Sequence, residues 1–426
     1  MTDFTIIARS MRARLFSTVV TAITVAVAVG LLITLLSMKN AGRQAFERGS
    51  GNMDLLVSGD SSPMVAVLNG VFYANAPARP IAWEVFERIK YDPRIDWAVP
   101  TQQGDSFQGF PVLATEPEFF EFFKPEPDKP WVFAAGRAFK DNFEVVLGAQ
   151  AARGTGLGVG SKLFLTHGTA ESRDAHVHEE FTYTVVGVLA PTGGPHDRAV
   201  FSNLESTWIV HAFDKHHHDH DHDHDHDHGN PNVVLTDDDR LITGIYLAVA
   251  KRPGLMVGAV MPQVAAGLRA ESGFTVAQPK SEMDRLFRIV SNVDVVFRAL
   301  AMVVLVSSGI AIMLALYNSM NDRRRQIAVL RVLGCSRGRV FGLVLTESAM
   351  LGLIGAAAGL GIAAIGGLAA AGQLRRSVGL VITPVYEVGW LVPVLVGAVL
   401  LAALAGLIPA FMAYRTGVAK NLKPLG

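Results

Sequence analysis

Four stretches of this chain run for twenty or more residues with almost no charge: Leu15–Met38, Ala299–Asn318, Ser348–Leu374 and Val388–Tyr414. Roughly 20 helical apolar residues cross the hydrocarbon core of a bilayer, so each stretch reads as a spanning helix. Arg9, Arg12 and Arg14 precede the first one, as they would precede a secretory signal. However, its 24 uncharged residues exceed the roughly 15 of a signal's apolar region, and Lys39-Asn40 is a poor cleavage site. An uncleaved span is expected. Arginine and lysine stay on the cytoplasmic side of a membrane. They gather before the first stretch, between the second and third (Arg323, Arg324, Arg325, Arg331, Arg337, Arg339), and after the fourth (Arg415, Lys420, Lys423). All three groups share one side only if there are four crossings with both ends inside; Arg375 and Arg376, in the short outer loop, are a minor exception.

The expected fold class is therefore a membrane protein with four transmembrane α-helices, one plus three, and a large extracytoplasmic α+β domain inserted between the first and second. The predicted order is a cytoplasmic segment 1–14, a span 15–38, the outer domain 39–280 with a His/Asp-rich loop 214–232, and a stalk helix 281–298. A span 299–318, a cytoplasmic loop 319–343, a span 348–374, an outer loop 375–387, a span 388–414 and a tail 415–426 follow. Half the residues are hydrophobic and the net charge is zero, which suits membrane helices with a soluble insert and gives no signature of nucleic-acid binding. The single cysteine, Cys335, falls in the cytoplasmic loop, so the outer domain must fold on an apolar core without a disulfide.

Within that domain, "FTYTVVGVL" alternates as a half-buried strand does, and "LITGIYLAVA" (Leu241–Ala250) reads the same way. "WEVFERIKYDP" spaces Trp83, Phe86 and Ile89 as a short amphipathic helix that stops before Pro93. "FFKPEPDKP" and "PTGGPHD" read as loops. Met283, Leu286, Phe287 and Val290 share one helical face, and no glycine or proline separates them from the second span. This fits either a stalk continuing out of the membrane or an ordinary surface helix followed by a turn.

In the cytoplasmic loop, Ile327 and Leu330 lie on a short basic helix that Gly334 ends, and Ser336 can cap the next. Such a helix either docks on another protein or lies in the lipid interface. The segment "RRRQIAVLRVLGCSRGRVFGLVLTESAMLGLIGAAAGLGIA" resembles the signature of FtsX-like permeases, the membrane subunits of MacB-type ABC transporters, a group that includes the lipoprotein-releasing LolC and LolE. "MRARLFSTVVTAITVAVAVGLLITLLSM", "DLLVSGDSSPMVAVLNGVFY", "FTYTVVGVLAPTGGPHDRAVFSNLES" and "IPAFMAYRTGVAKNL" extend the resemblance along the chain. The resemblance implies a homodimer in the bacterial inner membrane whose cytoplasmic loops seat on a separate ABC ATPase that binds ATP and Mg²⁺. Arg323, Arg324, Arg325, Gln326, Ile327, Leu330, Arg331 and Gly334 would make that contact. The sequence has no G-x-x-x-x-G-K-[ST] phosphate loop, and it begins fourteen residues before the first span, so ATP chemistry is expected on another chain and this one is expected to be non-catalytic. On the third span Gly352, Gly355, Gly359 and Gly366 form a smooth strip that suits a dimer interface or packing within one subunit. Glu347 is placed at the headgroup level, with no proton-carrying role.

The other outlying feature is "HHHDHDHDHDHDH". His216, His217, His218, His220, His222, His224, His226 and His228 alternate with Asp219, Asp221, Asp223, Asp225 and Asp227. In an extended segment, residues two apart project to one side about 6.5–7 Å from each other, so H-x-H can chelate an ion with two imidazoles. Zn²⁺ fits this donor set, and Ni²⁺ or Cu²⁺ would also bind. Many interchangeable pairs imply a loose capture or sensing loop rather than a fixed site; the plain alternative is a solvated low-complexity loop. "HVHEE" (His176, His178), with His167 nearby, reads as the polar edge of a strand and lacks H-E-x-x-H. His196 and His211 read as isolated structural residues. The expected function is the permease subunit of a MacB/FtsX-type transporter in zinc homeostasis, with a periplasmic metal-binding protein or lipoprotein as partner. Two alternatives are extrusion of lipoproteins, peptides or amphiphiles with an incidental loop, and an envelope-signalling scaffold that activates a periplasmic enzyme.

Overall fold

Tyr183–Leu189 forms the strand that "FTYTVVGVL" predicts: its residues alternate strictly between buried and half-buried. The computed structural model describes residues 3–126, 129–168, 176–177, 180–217, 233–251, 257–377 and 383–415. It divides the chain into two units, one holding Arg43–Arg288 and the other Met1–Gly42 with Ile289–Ser377 and Ile382–Gly426.

The first unit is an α+β domain on a mixed sheet. From edge to edge the main path runs Thr275–Ala277, Leu55–Ser58, Gly244–Val249, Ile95–Gln102, Phe110–Thr115, Val200–Asn203, Glu144–Leu147, Tyr183–Leu189 and Phe133–Gly136. Val200–Asn203 runs parallel to Phe110–Thr115, and Tyr183–Leu189 parallel to Glu144–Leu147; the other neighbours on this path are antiparallel. Apolar side chains cover both faces. Leu56, Val99, Phe201 and Tyr246 join one cluster with Phe119 and Phe123. Leu55, Val57, Ile245 and Leu247 join another with Phe86 and Ile89 of the helix Trp83–Lys90 and Val264 and Leu268 of the helix Val257–Arg269. This corrects the reading of Leu241–Ala250 as one half-buried strand. All six residues of Gly244–Val249 are buried because the strand is interior and packed on both sides, while Leu241–Ile242 pairs separately with Ile81–Ala82.

The second unit is helical. Leu15–Ser50, Arg298–Asn318, Arg337–Leu374 and Val388–Arg415 contain helices long and apolar enough to cross a membrane. Val25, Val29, Ile33, Ile312, Leu316, Ala356 and Ala402 pack together between these helices. Leu300, Ile310, Ile365, Leu368 and Leu400 stay exposed on their outer sides, as lipid-facing residues do. The helix beginning at Pro279 is unbroken to Val332. The fourth apolar run is not one helix: it stops at Ala405 and resumes at Leu407. Pro409 has no N–H for the Ala405 carbonyl, and its ring crowds that oxygen. The segment before the first span is itself helical, Asp3–Ala13, with Ile7 and Met11 buried against Leu351.

Candidate functional site

Just past Val332, where the long helix ends, Gly334 takes φ +93°, a conformation that a Cβ makes costly. The Gly334 N–H donates to the Arg331 carbonyl, and the Cys335 N–H reaches back to the Leu330 carbonyl at 3.0 Å. These two bonds form a Schellman cap. The Ser336 hydroxyl accepts from the Arg339 N–H at 3.2 Å and opens the next helix. The side chains of Arg323, Arg324, Arg325 and Gln326 lie outside the described residues, although their backbone is helical. Of the others expected to meet an ATPase, Ile327 is buried against Val340, Val344 and Ala410, whereas Leu330 and Arg331 are half-buried. Val329, Val332 and Leu333 are exposed. Glu347 is buried and accepts from Ser10 at 2.9 Å and Arg14 at 3.2 Å.

The glycine strip packs within the chain. A Cβ on Gly352 would meet Ala402 at 2.5 Å, one on Gly355 would meet Val25 at 2.6 Å, and one on Gly359 would meet Val29 and the Ala26 carbonyl at 2.8 Å. On Gly366 it would lie 3.3 Å from Thr34. Glycine here lets helix backbones approach.

The histidine run begins as the helix Leu204–His217 ends, so His216 and His217 are helical by backbone. His218, His220, His222, His224, His226 and His228, with Asp219, Asp221, Asp223, Asp225 and Asp227, lie outside the described residues, as does His178.

Five residues before that run, the same helix brings His211 to a carboxylate that the sequence did not single out. Asp105 starts the short strand Asp105–Phe107, and its register partner across the sheet is His167. The His167 Nδ1 lies 3.0 Å from Asp105 Oδ1, and the His211 Nε2 lies 3.4 Å from the same oxygen. His211 is therefore not isolated, which corrects the earlier expectation. His167 is more than the polar edge of a strand. His176 stands opposite it in register. A ligand atom from each of Asp105, His167 and His211 lies within 4.8 Å of the others. Burial of Asp105 opposes its ionisation, but the charge of His211 and hydrogen bonds from both imidazoles outweigh it and hold the carboxyl well below the usual range. The bond to Asp105 correspondingly raises His167, with burial opposing. Behind His211 sits Gln102, whose amide nitrogen is 3.1 Å from Nδ1. Two imidazoles and a carboxylate are a donor set that Zn²⁺ accepts. Sequence reasoning missed Asp105 because one aspartate on a strand carries no periodic signal.

Four long apolar helices and a folded α+β domain between the first and second define a membrane-protein architecture with a large inserted domain. Residues 18–266 match the MacB-like periplasmic core domain and residues 298–418 the FtsX-like permease C-terminal domain. The chain belongs to this MacB-like, FtsX-type permease family. The macrolide export ATP-binding/permease protein MacB of Nitrobacter winogradskyi is 29% identical over 132 residues, which is 31% of this chain and 19% of that protein. The chain thus matches about a fifth of that relative's length. Two solved structures are similar at 10% identity. The periplasmic region of MacB from Actinobacillus actinomycetemcomitans has a TM-score of 0.34, covering 56% of this chain and 94% of that one. The extracellular domain of the noncanonic ABC-type transporter YknZ from Gram-positive bacteria has a TM-score of 0.29, covering 53% and 99%.

Proposed function

We propose that this permease is the membrane subunit of an ATP-driven system of the bacterial inner membrane that handles divalent transition metal, zinc foremost, on the periplasmic side. Two copies pair, and each seats its cytoplasmic loop on a separate ABC ATPase that binds ATP and Mg²⁺. Val329, Val332 and Leu333 offer apolar surface beside Leu330, Arg331 and the arginines 323–325 for that contact, while Ile327 and the cap at Gly334 hold the loop's shape. ATPase closure displaces the loops, and the unbroken helix from Pro279 to Val332 carries the displacement to the outer domain, which grips or releases its client. The periplasmic client is a metal-binding protein or lipoprotein. Few polar groups lie within the spans, which argues against an ion path between them.

The observation that carries the metal reading is the run His216–His228, thirteen residues that are all histidine or aspartate. Cells whose chain has the run's eight histidines changed to asparagine are expected to grow more slowly than wild type under zinc starvation or zinc excess. Equal growth in both conditions removes the metal reading and leaves the permease. The name of the Nitrobacter relative favours a second reading, extrusion of amphiphiles such as macrolides. Macrolide sensitivity that rises on deleting this chain and is indifferent to the histidine run would select it.

A further inference from the structure

We propose that Asp105, His167 and His211 form a preorganised site for one Zn²⁺ ion, distinct from the histidine run. Two of the three ligand-atom separations are close to what the ion requires, and all three lie within 4.8 Å. Tetrahedral Zn²⁺ with bonds of about 2.0–2.1 Å sets its ligand atoms about 3.3–3.4 Å apart, and the two imidazole-to-carboxylate separations are 3.0 and 3.4 Å. The frame is fixed. Asp105 and His167 face each other across paired strands, and the Ser106 hydroxyl donates to the Gly168 carbonyl at 2.6 Å just beyond His167. His211 sits on a helix whose Leu204 and Trp208 pack into one core cluster and Val210 into another.

An Asp–His ion pair alone does not account for two imidazoles on one carboxylate oxygen. Their ring centroids are 5.1 Å apart, so two cationic rings would repel, whereas a metal takes both as neutral ligands. Gln102 supplies the second, independent observation. It is 7% exposed, and its Oε1 has no hydrogen-bond partner among the described residues. The amide nitrogen lies 3.1 Å from the His211 Nδ1; were the two ends of the amide exchanged, Oε1 would accept from Nδ1–H and the Nε2 lone pair would face Asp105. Asp214 lies three residues after His211 on the same helix and its charge reaches His167, which makes it a candidate for a fourth ligand.

The site gives the metal reading of the preceding section a fixed address, and the test separates the two. Full-length chain with the eight run histidines changed to asparagine is purified in detergent and titrated with Co²⁺, then with Zn²⁺. One Co²⁺ per chain with the absorption of a four-coordinate ion, displaced by Zn²⁺, is expected. His167→Ala, at a half-exposed position that tolerates change, and His211→Ala should each weaken binding at least about 100-fold, more than loss of an outer partner costs. Gln102→Leu should weaken it about 10- to 100-fold, and Gln102→Glu, which keeps an acceptor for Nδ1–H, should restore it. Thermal unfolding in chelator establishes that each variant is folded. If the run-substituted chain binds no stoichiometric ion, or if its binding ignores both alanine variants, the site is refuted; metal held by the unsubstituted chain alone would then leave the run as the holder. Tight binding at the three residues in cells indifferent to zinc supply would uphold the site and overturn the proposed role in zinc handling.

Discussion

His196 shows how burial sets the chemistry of one residue in this domain. Its Nε2–H donates to the Gly49 carbonyl at 3.0 Å, and its Nδ1 accepts from the Tyr73 hydroxyl at 2.6 Å, so both ring nitrogens are satisfied in the neutral form. Burial pushes its pKa down from 6.5 to about 4, with the Gly49 carbonyl opposing. Below about pH 6.5 the unfolded chain takes up a proton that the folded chain refuses, so this contribution to stability is full above that pH and is lost as pH falls towards 4. The loss is up to about 3 kcal/mol at roughly 1.4 kcal/mol per pH decade. Melting of the chain in detergent between pH 7 and 4.5 should therefore fall more steeply for wild type than for His196→Gln. Parallel curves would show that the ring takes up its proton alike in the folded and unfolded chain. The sequence marked His196 as structural and the fold agrees, yet it marked His211 in the same way with a different outcome. Nothing local distinguishes the two: one ring meets a carbonyl and a phenol, the other a carboxylate and a second imidazole, through contacts 44 to 147 residues apart in sequence.

At the scale of elements, the helices of the membrane unit pack through small residues, since lipid supplies no hydrophobic drive between them. Gly359 faces Val29 and the Ala26 carbonyl of the first span helix, and no flexible side chain lies there to move aside. Gly359→Leu is expected to destabilise the helical unit by about 1–3 kcal/mol, the usual cost of overpacking. Thermal melting in detergent should show a lower midpoint for it than for a Leu at Gly361, where an added Cβ meets nothing within 4 Å. Equal melting of the two would mean that these helices separate without cost. The strip itself was legible, because glycine at three- and four-residue spacing is a sequence pattern. Which helices it meets was not; the break at Gly406 was overlooked, although Pro409 is a sequence signal for one.

For the whole molecule, the arginine bias predicts a four-crossing path with the histidine run and the arginine-rich loop on opposite sides of the membrane. Cys335 is the sole cysteine, so a membrane-impermeant maleimide should label wild type only after the inner membrane is opened. With Cys335→Ser in the background, Asp214→Cys should label in spheroplasts without opening. Label on Cys335 in intact spheroplasts would invert the topology and with it the proposed coupling. The sequence by itself determined the four apolar helices, the inserted domain and the histidine–aspartate composition of the run, because length, hydropathy and composition are properties of contiguous residues. Tertiary structure alone decided that Gly244–Val249 is buried on both faces, that Ile327 turns inward, and that Asp105, His167 and His211 meet. Each of those depends on strand order and helix placement, which bring together side chains whose separation along the chain carries no trace of their contact.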